Sequence, residues 1–154
     1  MVNIEKICRV VNMSACTFFG HRDCGNEIES DLYFCVEKLI TENDVDTFYV
    51  GTHGNFDKMV YQVLKELKKK YTNIRCIIVF AYLPDRNEYN DFETVYPEGT
   101  EKVPKRFAVD FRNKWMIRQA EYVICYVKYN FGGAYKFAEL SEKQNKHVIN
   151  LYKT

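Results

Sequence analysis

The sequence has almost no net charge: 22 Lys and Arg against 21 Asp and Glu leave +1 over 154 residues. That balance gives no argument for a nucleic-acid or membrane-surface partner, which would need clustered cations, and none for a strongly acidic substrate. No apolar run approaches the ~20 residues needed to cross a bilayer. The opening segment, MVNIEKICRVVNMSA, lacks the continuous apolar stretch of a signal peptide. These absences predict a soluble, cytoplasmic protein with no membrane partner. No two of the cysteines (Cys8, Cys16, Cys24, Cys35, Cys76 and Cys125) have the C-x₂₋₄-C spacing of a zinc site, and three lie inside apolar runs. Buried free thiols are expected, with no disulfide framework, no metal and no cofactor. Repeats and low-complexity tracts are missing, as is the strict G-x-G-x-x-G dinucleotide fingerprint.

What the chain does have is an ordinary globular composition, 47% apolar and 28% charged, at a length that suits one domain over residues 1–154. Twelve Tyr, eleven Phe and one Trp exceed what a core of this size needs, so some are expected on a ligand or in a homodimer or higher homo-oligomer interface. The hydrophobic pattern alternates between two periods. ACTFFG (15–20) reads as a strand, and residues 27–43 as a helix with Ile28, Leu32, Cys35, Val36, Leu39 and Ile40 at helical spacing. DTFYVGT (46–52) is strand-like, and residues 57–73 form a helix whose lysine-rich last turn suits the helix dipole. IRCIIVFAYL (74–83) has the continuous apolar character of a central parallel strand. Residues 84–105 break the rhythm: they are polar, hold all three prolines and read as a long loop. A helix over 107–121, starting near Asp110, a strand over 122–129, a helix over 133–146 and a strand over 147–152 complete the chain, with residues 1–13 left as an appendage or edge strand. The fold class this predicts is α/β: a three-layer Rossmann-like domain with a mainly parallel sheet of five or more strands.

Ligands of such sheets bind beyond the C-terminal ends of the strands, so the turns there carry the functional reading. GHRD (20–23) offers Gly20 for a tight turn, Arg22 as a planar fork for phosphate, and His21 as either a general base or a structural loop residue. GTHGNFD (51–57) offers Gly51 and Gly54 for close backbone approach, Asp57 at a helix start, and Thr52 for contact with a ribose or base. NFGGAYKFAEL (130–140) sets Gly132, Gly133 and Ala134 before a helix carrying Lys136 and Glu139. Glu139 looks back toward the strand ends or simply pairs with Lys143. Arg112 lies at the crevice rim or on a solvated helix face.

These blocks, with the stretch YPEGTEKVPKRFAVDFRNKWMIRQAEYVICYV, resemble the SLOG superfamily, the SMF/DprA and Lonely Guy relatives, particularly small single-domain bacterial and phage members. The resemblance covers residues 15–152 and implies a Rossmann-like domain binding nucleotides or nucleotide-derived ligands; the expected role is a sensor or sequestering protein for such a small molecule, with housekeeping, phage defence and counter-defence all open. The enzymatic branch, the Lonely Guy phosphoribohydrolases, splits nucleoside monophosphates into base and ribose 5-phosphate. Its paired motifs are an arginine followed four residues on by methionine, here Arg112 and Met116, and P-G-G-x-G-T-x-x-E, here kept at Gly132, Gly133 and Glu139. Tyr135 and Lys136 replace the glycine and threonine that serve phosphate binding in that branch, and Phe131 replaces the proline. Were the chain such an N-glycosidase, Glu139 and Arg112 would be its catalytic pair, with Lys136 reaching a phosphate as a point charge. Nucleic-acid binding, as in DprA-type members, is disfavoured by the charge balance.

Overall fold

The computed structural model describes residues 14–86 and 88–153, so the segment 1–13 lies outside the described residues. Six strands form one all-parallel sheet in the order β4-β3-β2-β1-β5-β6. They are β1 (Ser14–Gly20), β2 (Val45–Val50), β3 (Arg75–Val79), β4 (Glu93–Val95), β5 (Tyr122–Tyr126) and β6 (His147–Asn150). Alternate residues of the central strands serve opposite faces. Phe18, Phe48, Val50, Ile78 and Ile124 pack on one side against α1 (Glu29–Glu42) and α2 (Gly54–Lys70). Phe19, Ile77, Val79, Val123 and Cys125 pack on the other against α3 (Ala108–Gln119) and α4 (Gly133–Lys143). Three layers result, and the near-continuous apolar runs of the strands follow from burial on both faces.

The chain lays down β1 to β4 outward in one direction, then returns to place β5 on the free side of β1. A crossover that keeps one hand must put its helix on the opposite face when it changes direction, which is why α3 and α4 lie across the sheet from α1 and α2. The order of strands therefore reverses between β1 and β5, and there the loops diverge to leave a crevice.

Two elements differ from the sequence reading. The run 74–83 leaves the sheet after Val79, so Phe80, Ala81, Tyr82 and Leu83 belong to a loop. Within the polar stretch 84–105, Glu93–Val95 pairs with β3 as an edge strand. Three residues with two of them polar carry no apolar alternation, so pattern alone passes over them. What holds β4 is its neighbour: Arg75 donates to Glu93 through Nε and Nη2 at 3.0 and 2.9 Å, and the Phe80 N–H donates to the Val95 carbonyl at 2.8 Å. The five described cysteines are free thiols, four of them buried. Among the described residues, no helix is long and apolar enough to cross a membrane.

Candidate functional site

A crevice of about 390 Å³ opens between the ends of β1 and β5. Its wall on the β1 side is the turn after that strand, Gly20 to Asp23; its far wall is Tyr129, Phe131 and Gly132 ahead of α4 with Gly133 and Ala134 of its first turn. Arg112 and Met116 of α3, and His53 and Asp57 at the head of α2, also line it. Of the residues singled out in the sequence, Gly20, His21, Arg22, Asp57, Arg112, Met116, Gly132, Gly133 and Ala134 are thus brought together.

The turns after β1 and β2 are laced to each other. The Asn55 N–H donates to the Arg22 carbonyl at 2.9 Å, and a Cβ on Gly54 would stand 2.7 Å from the Arg22 Cα. Gly54 also sits at φ +86°, a conformation that favours glycine over residues with a side chain. Gly51 does different work: a Cβ there would stand 2.8 Å from Asp57 Oδ2 and 3.2 Å from the Arg112 guanidinium carbon, so its absence lets the two charged groups approach. Gly20 is required by packing, because its Cβ would run into the Phe56 ring at 2.2 Å.

Arg112 is only 2% exposed, and its donors are largely spent on the protein. Nε donates to Asn113 Oδ1 at 2.7 Å, Nη1 to the Val79 carbonyl at 2.9 Å and to Thr52 Oγ1 at 3.3 Å, and Nη2 to His53 Nδ1 at 3.1 Å. It is a buried strut joining the ends of β2 and β3, not a solvated rim residue. Because arginine only donates, His53 Nδ1 must accept, which leaves the His53 proton on Nε2. Burial lowers the His53 pKa, and the Arg112 and Arg22 charges lower it further. The Asp57 Oδ2 accepts the His53 backbone N–H at 2.9 Å, reaching back to the start of its own helix. Burial nonetheless pushes the Asp57 carboxyl up to about 6, against the opposing pull of Arg112, that N–H and Arg22.

His21 is a structural acceptor. Its Nε2 takes the N–H of Lys128 at 2.8 Å and of Tyr129 at 3.3 Å, tying the β1 turn to the loop after β5. Burial lowers its pKa, with Asp23 pulling the other way. A folded pKa below the unfolded one means stability that is complete above the unfolded value and lost as pH falls through the folded one. The advantage of wild type over His21→Ala in thermal melts is therefore expected to be full above pH ~7 and to shrink below about 6.5. A difference that stays constant across that range would show that the ring nitrogen is not the acceptor.

Five predicted residues do not line the crevice: Gly51, Thr52, Gly54, Lys136 and Glu139. Glu139 faces Lys143 at 3.4 Å on the outer side of α4, and Lys136 donates to Asp110 Oδ1 at 2.6 Å, with Lys114 on the other carboxylate oxygen. Thr52 stands behind the crevice as an Arg112 acceptor. Sequence reasoning passed over Asn113, Tyr129 and Phe131. The two rings stack at 5.2 Å with 23° between their planes, and Phe131 is 66% exposed although it lines the crevice. The legible signal was an aromatic on each side of Asn130 just ahead of the glycine pair.

The fold and the crevice define a Rossmann-type α/β domain whose crevice loops lie at a topological switch point. Among solved structures it is similar to DNA processing protein A (DprA) from Streptococcus pneumoniae, with a TM-score of 0.64 at 14% sequence identity over 90% of this chain. The chain spans 50% of that protein's length, and at this identity the likeness is one of fold. No known family profile matches the sequence, and no curated protein is significantly similar to it.

Proposed function

We propose that this chain is a SLOG-type domain that binds a nucleotide-derived small molecule in the crevice between β1 and β5, as a sensor or sequestering protein. The observation that carries the reading is Arg22. It is an exposed guanidinium lining the crevice, without an ion pair or side-chain hydrogen bond among the described residues, where every other crevice cation is committed to protein acceptors. The wall it shares the crevice with begins α4 at Gly132 and Gly133, where a Cβ would meet nothing within 4 Å. Free N–H groups at a helix start and a planar cation suit a phosphate, and the exposed Tyr129–Phe131 pair suits a base. Hydrolysis is not part of the proposal. Glu139, the carboxylate that reading would use, does not line the crevice and pairs with Lys143.

Calorimetric titration of the four 5′-mononucleotides against their nucleosides tests this. At least one nucleotide is expected to bind roughly tenfold or more tighter than its nucleoside, with no free base released, and Arg22→Ala is expected to erase that margin. Equal affinity for nucleoside and nucleotide, or an unchanged margin in Arg22→Ala, would sink the reading.

A further inference from the structure

The crevice does not end at His53. The same imidazole also lines a second pocket of about 420 Å³, walled by Thr52, Phe80, Tyr82, Leu83 and Tyr89. This is where the apolar run beyond β3 goes once it leaves the sheet. The Tyr82 ring is fixed at two points: its hydroxyl donates to the Lys105 carbonyl at 2.9 Å, and it stands edge-to-face with His53 at 6.1 Å. Leu83, at 68% exposed, leaves an aliphatic side chain in water at the same pocket, where Asp85 and Glu88 supply polar groups. Either volume falls in the range of a small-ligand site, and each holds exposed aromatic surface, Tyr129 and Phe131 in the first and Tyr82 in the second.

The two meet at a junction with its own chemistry. Gly54 brings the Arg22 backbone against the residue following His53, so the free guanidinium and the imidazole belong to one neighbourhood. With Nδ1 held by Arg112, the neutral His53 presents Nε2–H as a donor there. Aromatic wall, cation, N–H donor, second aromatic wall is a sequence of groups that a single base and ribose cannot satisfy. We infer that the site takes a two-part ligand, two nucleobases joined through phosphates, with one ring on Tyr129 and Phe131, the other against Tyr82, and the phosphates at Arg22 and His53. The inference rests on the nucleotide reading above and specifies its ligand class.

The experiment compares each 5′-mononucleotide with the symmetric 5′,5′-pyrophosphate-linked dinucleotide of the same base. Both carry about two negative charges near neutral pH, so attraction to Arg22 is matched and the second base is the difference. For at least one base the dinucleotide is expected to bind about fivefold or more tighter, since a stacked base contributes at least that. Tyr82→Ala should bring the dinucleotide down to the mononucleotide's affinity and leave the mononucleotide unchanged, while Tyr82→Phe, which keeps the ring, should retain the advantage. Dinucleotides binding no better than mononucleotides would overturn the inference and leave the nucleotide reading intact, as would a Tyr82→Ala variant that weakens both alike. Binding of neither would overturn both.

Discussion

Gly133→Val is expected to weaken nucleotide binding roughly a hundredfold while moving the melting temperature by no more than a few degrees. Gly133 is exposed, its φ lies outside the left-handed region, and a Cβ placed on it meets nothing within 4 Å. The free protein therefore has room for the isopropyl group, and valine in the first turn of α4 restricts the unfolded chain more than glycine does. The same open space is what a bound phosphate would occupy. Filling it removes the approach to the N–H groups at the helix start, and each charge-assisted hydrogen bond lost there is worth about 1.5–3 kcal/mol. Gly132 is the control. At φ +92° a side chain there is strained, so Gly132→Val should lower stability by about 1–2 kcal/mol before any ligand is added. Calorimetry beside a melting curve separates the cases. Wild-type affinity in folded Gly133→Val would mean that no anion rests on this helix start, and a joint fall in stability and affinity would make the glycine pair a turn and nothing more.

The frame of this protein was legible in its sequence because burial on both faces writes itself as apolar runs. β1, β2, β5 and β6 and the four long helices stand close to where periodicity placed them. The errors come from groups whose role depends on a partner far along the chain. β4 is defined by its backbone pairing with β3, with Arg75 reaching Glu93 beside it, and no local window contains either partner. The run 74–83 looked like one strand, yet after Val79 it becomes a loop in which Phe80 and Ala81 stay buried while Tyr82 and Leu83 stand exposed at a pocket. Spacing also drew attention to Glu139 and Lys136, but helix geometry offered each a nearer partner, Lys143 four residues on and Asp110 on the neighbouring helix. Arg112 was noticed, though as a rim residue. Its burial follows from Gly51, whose missing side chain makes room beneath it.

That burial sets up the largest stability effect expected in the molecule. Arg112→Met keeps an apolar stem in place and removes the guanidinium, leaving the Val79 carbonyl and Asn113 Oδ1 without the donors they now have. It also strips Asp57 of the cation that most restrains its pKa. Losing one partner of a buried charged arrangement costs about 3–5 kcal/mol, enough to consume much of a small domain's stability. The cost should depend on pH, and the sign follows from linkage. Asp57 already titrates near 6 in the folded protein, above the ordinary carboxylate value, so its contribution is complete at acid pH and is lost as pH rises through the folded pKa. Without Arg112 that folded pKa moves higher still, and ionising Asp57 costs more. The deficit of Arg112→Met against wild type, from urea denaturation, is therefore expected to be smaller at pH ~5, where Asp57 holds its proton in both folded proteins, and larger at pH ~8. Adding Asp57→Asn should remove the Asp57 share of the growth between those two pH values, since asparagine can still accept the His53 N–H and has no charge to bury, and leave the smaller share due to His53, whose pKa Arg112 also lowers. An Arg112→Met deficit of equal size at both pH values would mean that Asp57 and Arg112 are not electrostatically coupled across Gly51.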